Sequence, residues 1–244
     1  MKRLTIKDLK RKRDYLMLEL DNINVIFSTA EEGRSFNRNV ESGVENLNSI
    51  KKDFNLINVE YLNQIHSDKV FIFENGKDVK REEGDALVTN EIKTAIGVFT
   101  ADCVPVIIVN EDKKVIAAIH SGWKGTYNSI TTKTLNVMKD KYDIDITKTK
   151  IFIGPHIRRC CYEVSNELKE KFLEHTKISE KQLFDGRNLS MEECILKDIR
   201  ECGFKEENIY SLNLCTHCEK EIKLYSYRSS VGTYGRLFSF AYIK

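Results

Sequence analysis

Seven short apolar runs rich in β-branched residues restrict the folds open to this 244-residue chain more than any other feature. They fall at 24–28 (NVIFS), 69–73 (KVFIF), 85–89 (DALVT), 95–100 (AIGVFT), 104–109 (VPVIIV), 115–120 (VIAAIH) and 150–153 (KIFI). Their length and their Val and Ile content favour buried strands over helices. Helical patterns lie between and after them. One covers 126–141, with apolar Ile130, Leu135 and Val137 behind a glycine-containing turn; 166–174 and 191–202 are amphipathic, the last with Gly203 as its C-cap. Two late segments, 222–228 (IKLYSYR) and 236–243 (RLFSFAYI), are hairpin-like. Strands gathered centrally with helices interspersed give an α+β class or a layered α/β sheet.

No linker divides the chain. Pro105 and Pro155, its two prolines, stand in segments rich in chemistry, and repeats and low-complexity tracts are absent, so 1–244 reads as one domain. Lys+Arg at 39 against Asp+Glu at 37 leaves a formal charge of +2, too small a field for nucleic acid to be the expected partner. The basic N-terminus lacks the apolar centre of a secretory signal, and no stretch reaches the ~18 apolar residues of a membrane span. Seven cysteines, an odd count with two adjacent, argue against a complete disulfide framework. A soluble cytoplasmic protein with a small-molecule partner is the expectation.

Three soft or borderline donors stand at strand ends: His66 before KVFIF, Cys103 after AIGVFT and His120 closing VIAAIH. One thiolate and two imidazoles suit a catalytic zinc site, which keeps three protein ligands and one open position. His120 runs into Ser-Gly-Trp-Lys-Gly, where glycines let backbone approach a ligand and Trp123 is a costly residue to place in a polar turn. Asp102, beside Cys103, can orient a ligand or move a proton. Residue chemistry alone leaves open a buried structural cysteine with two satisfied histidines. Cys103 as a nucleophile with His120 as its base, in a cysteine hydrolase or deamidase, is a further alternative.

The remaining cysteines are ambiguous. Cys215-Thr216-His217-Cys218 has the spacing of half a structural zinc site or of a redox pair, but a second C-x-x-C is missing, and thiols without metal remain the plain alternative. Cys160 and Cys161 cannot easily close on each other, because adjacent residues rarely meet disulfide geometry, and no role follows for them.

Six ordered blocks together resemble the YfiH family, also called the laccase-domain or multicopper polyphenol oxidase family and now regarded as purine nucleoside phosphorylases. The blocks are NQIHSDKV (63–70), GDALVT (84–89), TADCVPV (100–106), IHSGWKGT (119–126), IGPHIRRCCYEV (153–164) and YSYRSSVGTYGR (225–236). The resemblance implies zinc, with copper as second choice, on His66, Cys103 and His120. It implies a single-domain α/β/β/α layered fold, phosphorolysis of adenosine, inosine and methylthioadenosine, and adenosine deamination at the same site. Catalytic roles would fall to Asp102, Cys103 and His120. For substrate, Asn37 matches the family's S-L-N block, Arg228, Arg236 and Lys124 are candidate cations for phosphate, and Trp123 or Tyr127 could stack on the purine.

The sequence departs from the family pattern where Ala30 replaces an arginine after Ser28-Thr29, and where Ser229 follows Arg228 in place of a second arginine. Both changes remove cations that could hold an anion. A copper oxidase would need more ligands than five histidines comfortably provide. Some bacterial members are linked to peptidoglycan editing, so a cell-wall regulatory module whose metal only braces the fold is the non-enzymatic alternative.

Overall fold

Five of the seven apolar runs lie in one sheet and two in another, and the reason is visible in which faces they bury. In the computed structural model, which describes residues 1–230 and 234–244, a seven-stranded sheet has the spatial order β1 (Lys2–Leu4), β14 (Ile209–Leu212), β11 (Thr149–Ile153), β9 (Val104–Asn110), β10 (Val115–Ser121), β7 (Ala86–Thr89) and β6 (Val70–Ile72). A six-stranded sheet has the order β2 (Lys10–Lys12), β3 (Tyr15–Glu19), β4 (Ile23–Ser28), β15 (Leu237–Ile243), β8 (Thr94–Thr100) and β5 (Asn58–Glu60). A small hairpin pairs β12 (Phe184–Asp185) with β13 (Asn188–Leu189).

Successive residues of β9 and β10 point into different apolar layers. Ile107, Val109, Ile116 and Ala118 face the space between the sheets with Val25, Phe27, Ile96 and Val98 of the other sheet. Val106, Ile108, Ala117 and Ile119 face outward onto helices, meeting Ile130, Leu135 and Met138 of α3 (Ile130–Tyr142) and Ile195 and Ile199 of α6 (Met191–Glu201). On the far side, α1 (Glu41–Phe54) covers the six-stranded sheet with Leu47, Ile50 and Phe54 against Phe238 and Phe240. The order is helix, sheet, sheet, helix, the expected α/β/β/α layering. Strands covered on both faces read as unbroken apolar runs, which is why the sequence exposes them clearly.

Two expectations change. The helix read over 126–141 is broken in two, α2 (Trp123–Tyr127) and α3, because Ser129 takes a left-handed φ of 54° between them. The late hairpin does not form. Residues 236–243 supply β15, in the middle of its sheet, but 222–228 is not a strand, and its polar groups bond elsewhere: Tyr225 Oη donates to the Gly33 carbonyl and the Arg228 N–H to Asp102. Helix α1 was not foreseen, since its apolar residues are sparse among Glu, Asn, Ser and Lys. The remaining helices are α4 (Asn166–Thr176) and α5 (Glu180–Leu183). Among the described residues, no helix is long and apolar enough to cross a membrane.

Register places the chemistry. His120 pairs with Pro105, Ile119 with Ala86, Val70 with Ala86, and Ile153 with both Val106 and Ser211. The ends of β10, β11 and β14 and the starts of β6, β7 and β9 therefore share one end of the seven-stranded sheet. In the other sheet Thr100 pairs with Leu237, so Asp102 and Cys103 leave β8 where Arg236 enters β15.

Candidate active site at the sheet ends

His66, Cys103 and His120 converge, with donor atoms all within 4.8 Å of one another. Cys103 Sγ lies 3.8 Å from His66 Nε2, close to the ~3.6 Å separation of sulfur and nitrogen on a tetrahedral zinc. The two imidazoles meet edge to face at 4.7 Å between ring centroids. This donor set fits a zinc ion and leaves one coordination position for another partner.

A buried carboxylate builds the arrangement. Asp85, immediately before β7, is fully buried and accepts hydrogen bonds from the backbone N–H groups of Ile65, His66 and Ser67 and from Ser67 Oγ. Its Oδ1 also accepts from His120 Nδ1 at 2.7 Å, while its carbonyl accepts the His120 N–H, also at 2.7 Å. One side chain thus fixes the loop that carries His66 (φ 59°) and turns His120 Nε2 toward Cys103. Burial works to raise the Asp85 pKa, but the bonds from His120 and Ser67 outweigh it and hold the carboxyl below its ordinary value. Sequence reasoning missed Asp85 because it sits within a strand-like run; the signal was an acidic residue opening an otherwise apolar stretch.

Burial pushes the Cys103 thiol up, yet the adjacent His120 and His66 more than reverse this and bring it down to about 6. For His120 burial favours the neutral ring, and Cys103 and Asp85 overcome it, raising the imidazole to about 9. Each of the two groups thus favours the charged form of the other. Gly122 closes the other side: a Cβ there would lie 2.8 Å from His66 Cδ2 and 3.1 Å from Cys103 Sγ. Only glycine lets backbone pass so near the donors.

The three donors border a cavity of about 560 Å³, within the range of small-molecule sites. Its walls include Asn37, Asp102, Trp123, Arg228 and Arg236 among the residues singled out from sequence. Asp102 holds a strained φ of 96° and uses both carboxylate oxygens, accepting from Thr216 Oγ1 at 2.6 Å and from the Arg228 N–H at 2.9 Å. Lys124 is exposed outside the cavity, 5.6 Å from the Trp123 ring. Tyr127 stacks on His175 and meets the edge of Phe172, so it packs against α4 and not on a substrate.

Arg38, absent from the sequence reading, also lines the cavity. Its guanidinium donates to the Leu62 carbonyl at 2.8 Å and to Asn63, and burial together with nearby Arg236 lowers its pKa. Arg236 lies 3.8 Å over the Tyr234 ring and Arg228 5.0 Å over Tyr162. Among the described residues none of these three arginines forms an ion pair with a carboxylate. Arg34, by contrast, is committed to buried Asp14, and Ala30 is itself buried. Of the block 225–236, residues 231–233 lie outside the described residues.

Residues 20–244 match the family described as multi-copper polyphenol oxidoreductase laccase. The chain is 40% identical over 235 residues to a purine nucleoside phosphorylase of Clostridium acetobutylicum, covering 96% of this chain and 98% of that protein. It is 38% identical over 163 residues to a purine nucleoside phosphorylase of Aquifex aeolicus, covering 66% and 73%. The fold matches the crystal structure of the Bacillus licheniformis hypothetical protein YfiH with a TM-score of 0.86 at 21% identity, over 96% of this chain and 97% of that one. The chain belongs to the multi-copper polyphenol oxidoreductase laccase family, the YfiH family.

Proposed function

We propose that this chain is a zinc-dependent purine nucleoside phosphorylase acting on adenosine, inosine and methylthioadenosine, with adenosine deaminase activity at the same site. The reading takes 1–244 as one domain, because apolar residues from both ends of the chain share the layer between the sheets. The observation that carries it is one cavity lined by a Cys/His₂ donor set and by three arginines that have no carboxylate partner among the described residues, in a member of a family whose relatives bear the phosphorylase name.

Phosphorolysis joins a phosphate oxygen to ribose C1′ as the bond from C1′ to N9 breaks, and the departing purine takes up a proton. The enzyme must hold a dianion opposite the base and stabilise an electron-poor ribose. Arg38 and Arg236, with Arg228 and the Asn37 amide, supply the anion's partners from one cavity. Half-buried guanidiniums that repel each other gain most from a dianion between them. Trp123 and Tyr162 offer aromatic faces to the base. Asp102 keeps the Arg228 backbone and Thr216 in place and presents a carboxylate that can hold a proton for the leaving base or for ammonia. Zinc, when bound by His66, Cys103 and His120, supplies Lewis-acid polarisation.

The test is incubation of metal-loaded protein with adenosine, with and without phosphate, following adenine, hypoxanthine and inosine. Phosphate-dependent adenine together with phosphate-independent inosine supports both reactions; absence of both products overturns the reading. The proximity of Cys103 to His120, each favouring the charged form of the other, supports a second reading, a metal-free cysteine hydrolase. Turnover that survives chelation and stops on thiol alkylation would select it.

A further inference from the structure

Parallel pairing of β11 with β14 brings two cysteine-bearing turns together. Because these strands run side by side in one direction, the segments that follow them start as neighbours, and a parallel bridge between His156 and Cys215 prolongs the pairing. The His156 N–H donates to the Leu214 carbonyl and the Thr216 N–H to the His156 carbonyl. Beyond that bridge one segment turns at 158–162, with the Cys161 and Tyr162 N–H groups both on the Arg158 carbonyl. The other turns at 215–218, closed by the Glu219 N–H on the Cys215 carbonyl.

The thiols of Cys160, Cys161, Cys215 and Cys218 consequently meet, all within 4.8 Å of one another, with Cys160 and Cys218 sulfurs 3.6 Å apart. Four sulfurs on a tetrahedral zinc stand about 3.8 Å from one another, as follows from a zinc to sulfur distance of ~2.3 Å. Disulfides would have to pair the four thiols two by two across the turns, whereas a single metal ion takes all four sulfurs at once.

We propose that Cys160, Cys161, Cys215 and Cys218 form a second metal site, a tetrathiolate zinc centre that braces one wall of the active-site cavity. The vicinal pair is the half-site that the C-x-x-C motif lacks in sequence. Zinc binding displaces four thiol protons and joins the two turns through one ion. The wall it braces is specific: Tyr162, next to Cys161, lines the cavity under the Arg228 guanidinium, and Thr216, inside the C-x-x-C, donates to Asp102. His217 Nδ1 and Ser229 Oγ lie 2.8 Å apart, tying the same turn to the segment after Arg228.

Metal counting on the purified full chain tests this independently of nucleoside turnover. The wild type is expected to hold two zinc ions per chain, Cys103→Ala one and Cys218→Ser one. Cobalt reconstitution of Cys103→Ala should give the charge-transfer and ligand-field spectrum of a four-sulfur site, whereas Cys218→Ser should give that of a mixed nitrogen and sulfur site. Should Cys218→Ser fail to fold, the cobalt spectrum of Cys103→Ala still decides the matter. A wild type with one zinc that is lost entirely in Cys103→Ala overturns the proposal, and so does a Cys160 to Cys218 disulfide found by peptide mapping of protein purified under reducing conditions.

Discussion

The two clusters of soft donors differ in what completes them. His66, Cys103 and His120 come from three separated segments, are oriented by one buried carboxylate, and leave a coordination position on a cavity with three arginines. The cysteine cluster comes from two turns after neighbouring parallel strands and brings four thiols, a full tetrahedral shell. An incomplete shell beside a cavity has room for a reacting atom; a complete one has none and can only hold chain segments together. Donor chemistry alone does not separate a catalytic site from a brace, and the surroundings do.

That contrast predicts unequal responses to substitution. The largest effect is expected for Cys103→Ala, which removes the charged donor: metal analysis should show the triad site empty, and nucleoside turnover should be lost while the fold melts normally. Asp85→Asn comes next. It keeps the shape but replaces one acceptor oxygen with a donor against His66, Ser67 and His120, and metal affinity or kcat should fall about 10–100-fold, the usual cost of an outer partner of a metal ligand. Retention of both within a factor of two would show that the hub is not an orienting group.

Arg38→Ala is expected to raise the KM for phosphate by roughly 10–100-fold, with the nucleoside KM little changed, because a hydrogen bond to a charged group is worth about 1.5–3 kcal/mol. An unchanged phosphate KM would remove Arg38 from the anion site. Gly122→Ala forces a methyl against His66 and Cys103 and should loosen metal binding, at a cost of about 1–3 kcal/mol typical of overpacking. The cysteine cluster, lying elsewhere, should keep its metal.

The last effect falls on stability and not on turnover, and concerns His156, whose backbone bridges to Cys215. Burial pushes its imidazole down to about 4 from an ordinary 6.5, its Nδ1–H donating to the Gly154 carbonyl at 2.8 Å. The unfolded chain takes the proton first, so the stabilisation is complete above pH 6.5 and declines as pH falls towards 4, by about 3 kcal/mol in all. In metal-stripped protein, His156→Gln should flatten the fall of stability across that window in denaturant titrations. An equally steep fall would place the acid sensitivity elsewhere.

Strands were legible where both faces are buried. The runs at 95–100, 104–109 and 115–120 reappear as β8, β9 and β10 within a residue at each end, because an unbroken Val and Ile pattern needs no knowledge of its neighbours. Strand β2 and helix α1 escaped notice because they bury little: β2 is exposed throughout, and α1 buries only Gly43, Leu47, Ile50 and Phe54. The break between α2 and α3 rests on Ser129 adopting a left-handed conformation that its side chain does not advertise.

The donor triad is the feature on which sequence and structure meet most closely, yet the carboxylate that orients His120 is not the one beside Cys103 in the chain. Asp102 adjoins Cys103 in sequence but bonds Thr216 and Arg228, whereas Asp85 holds His120 across a pair of strands. The same holds for Cys160 and Cys161, which gain a meaning only beside Cys215 and Cys218. Local patterning sets which segments become strands and which end in chemically able residues, because burial and backbone preference act within a few residues. Which of those residues meet is decided by strand register and loop closure across distant segments, and only the folded layers fix these.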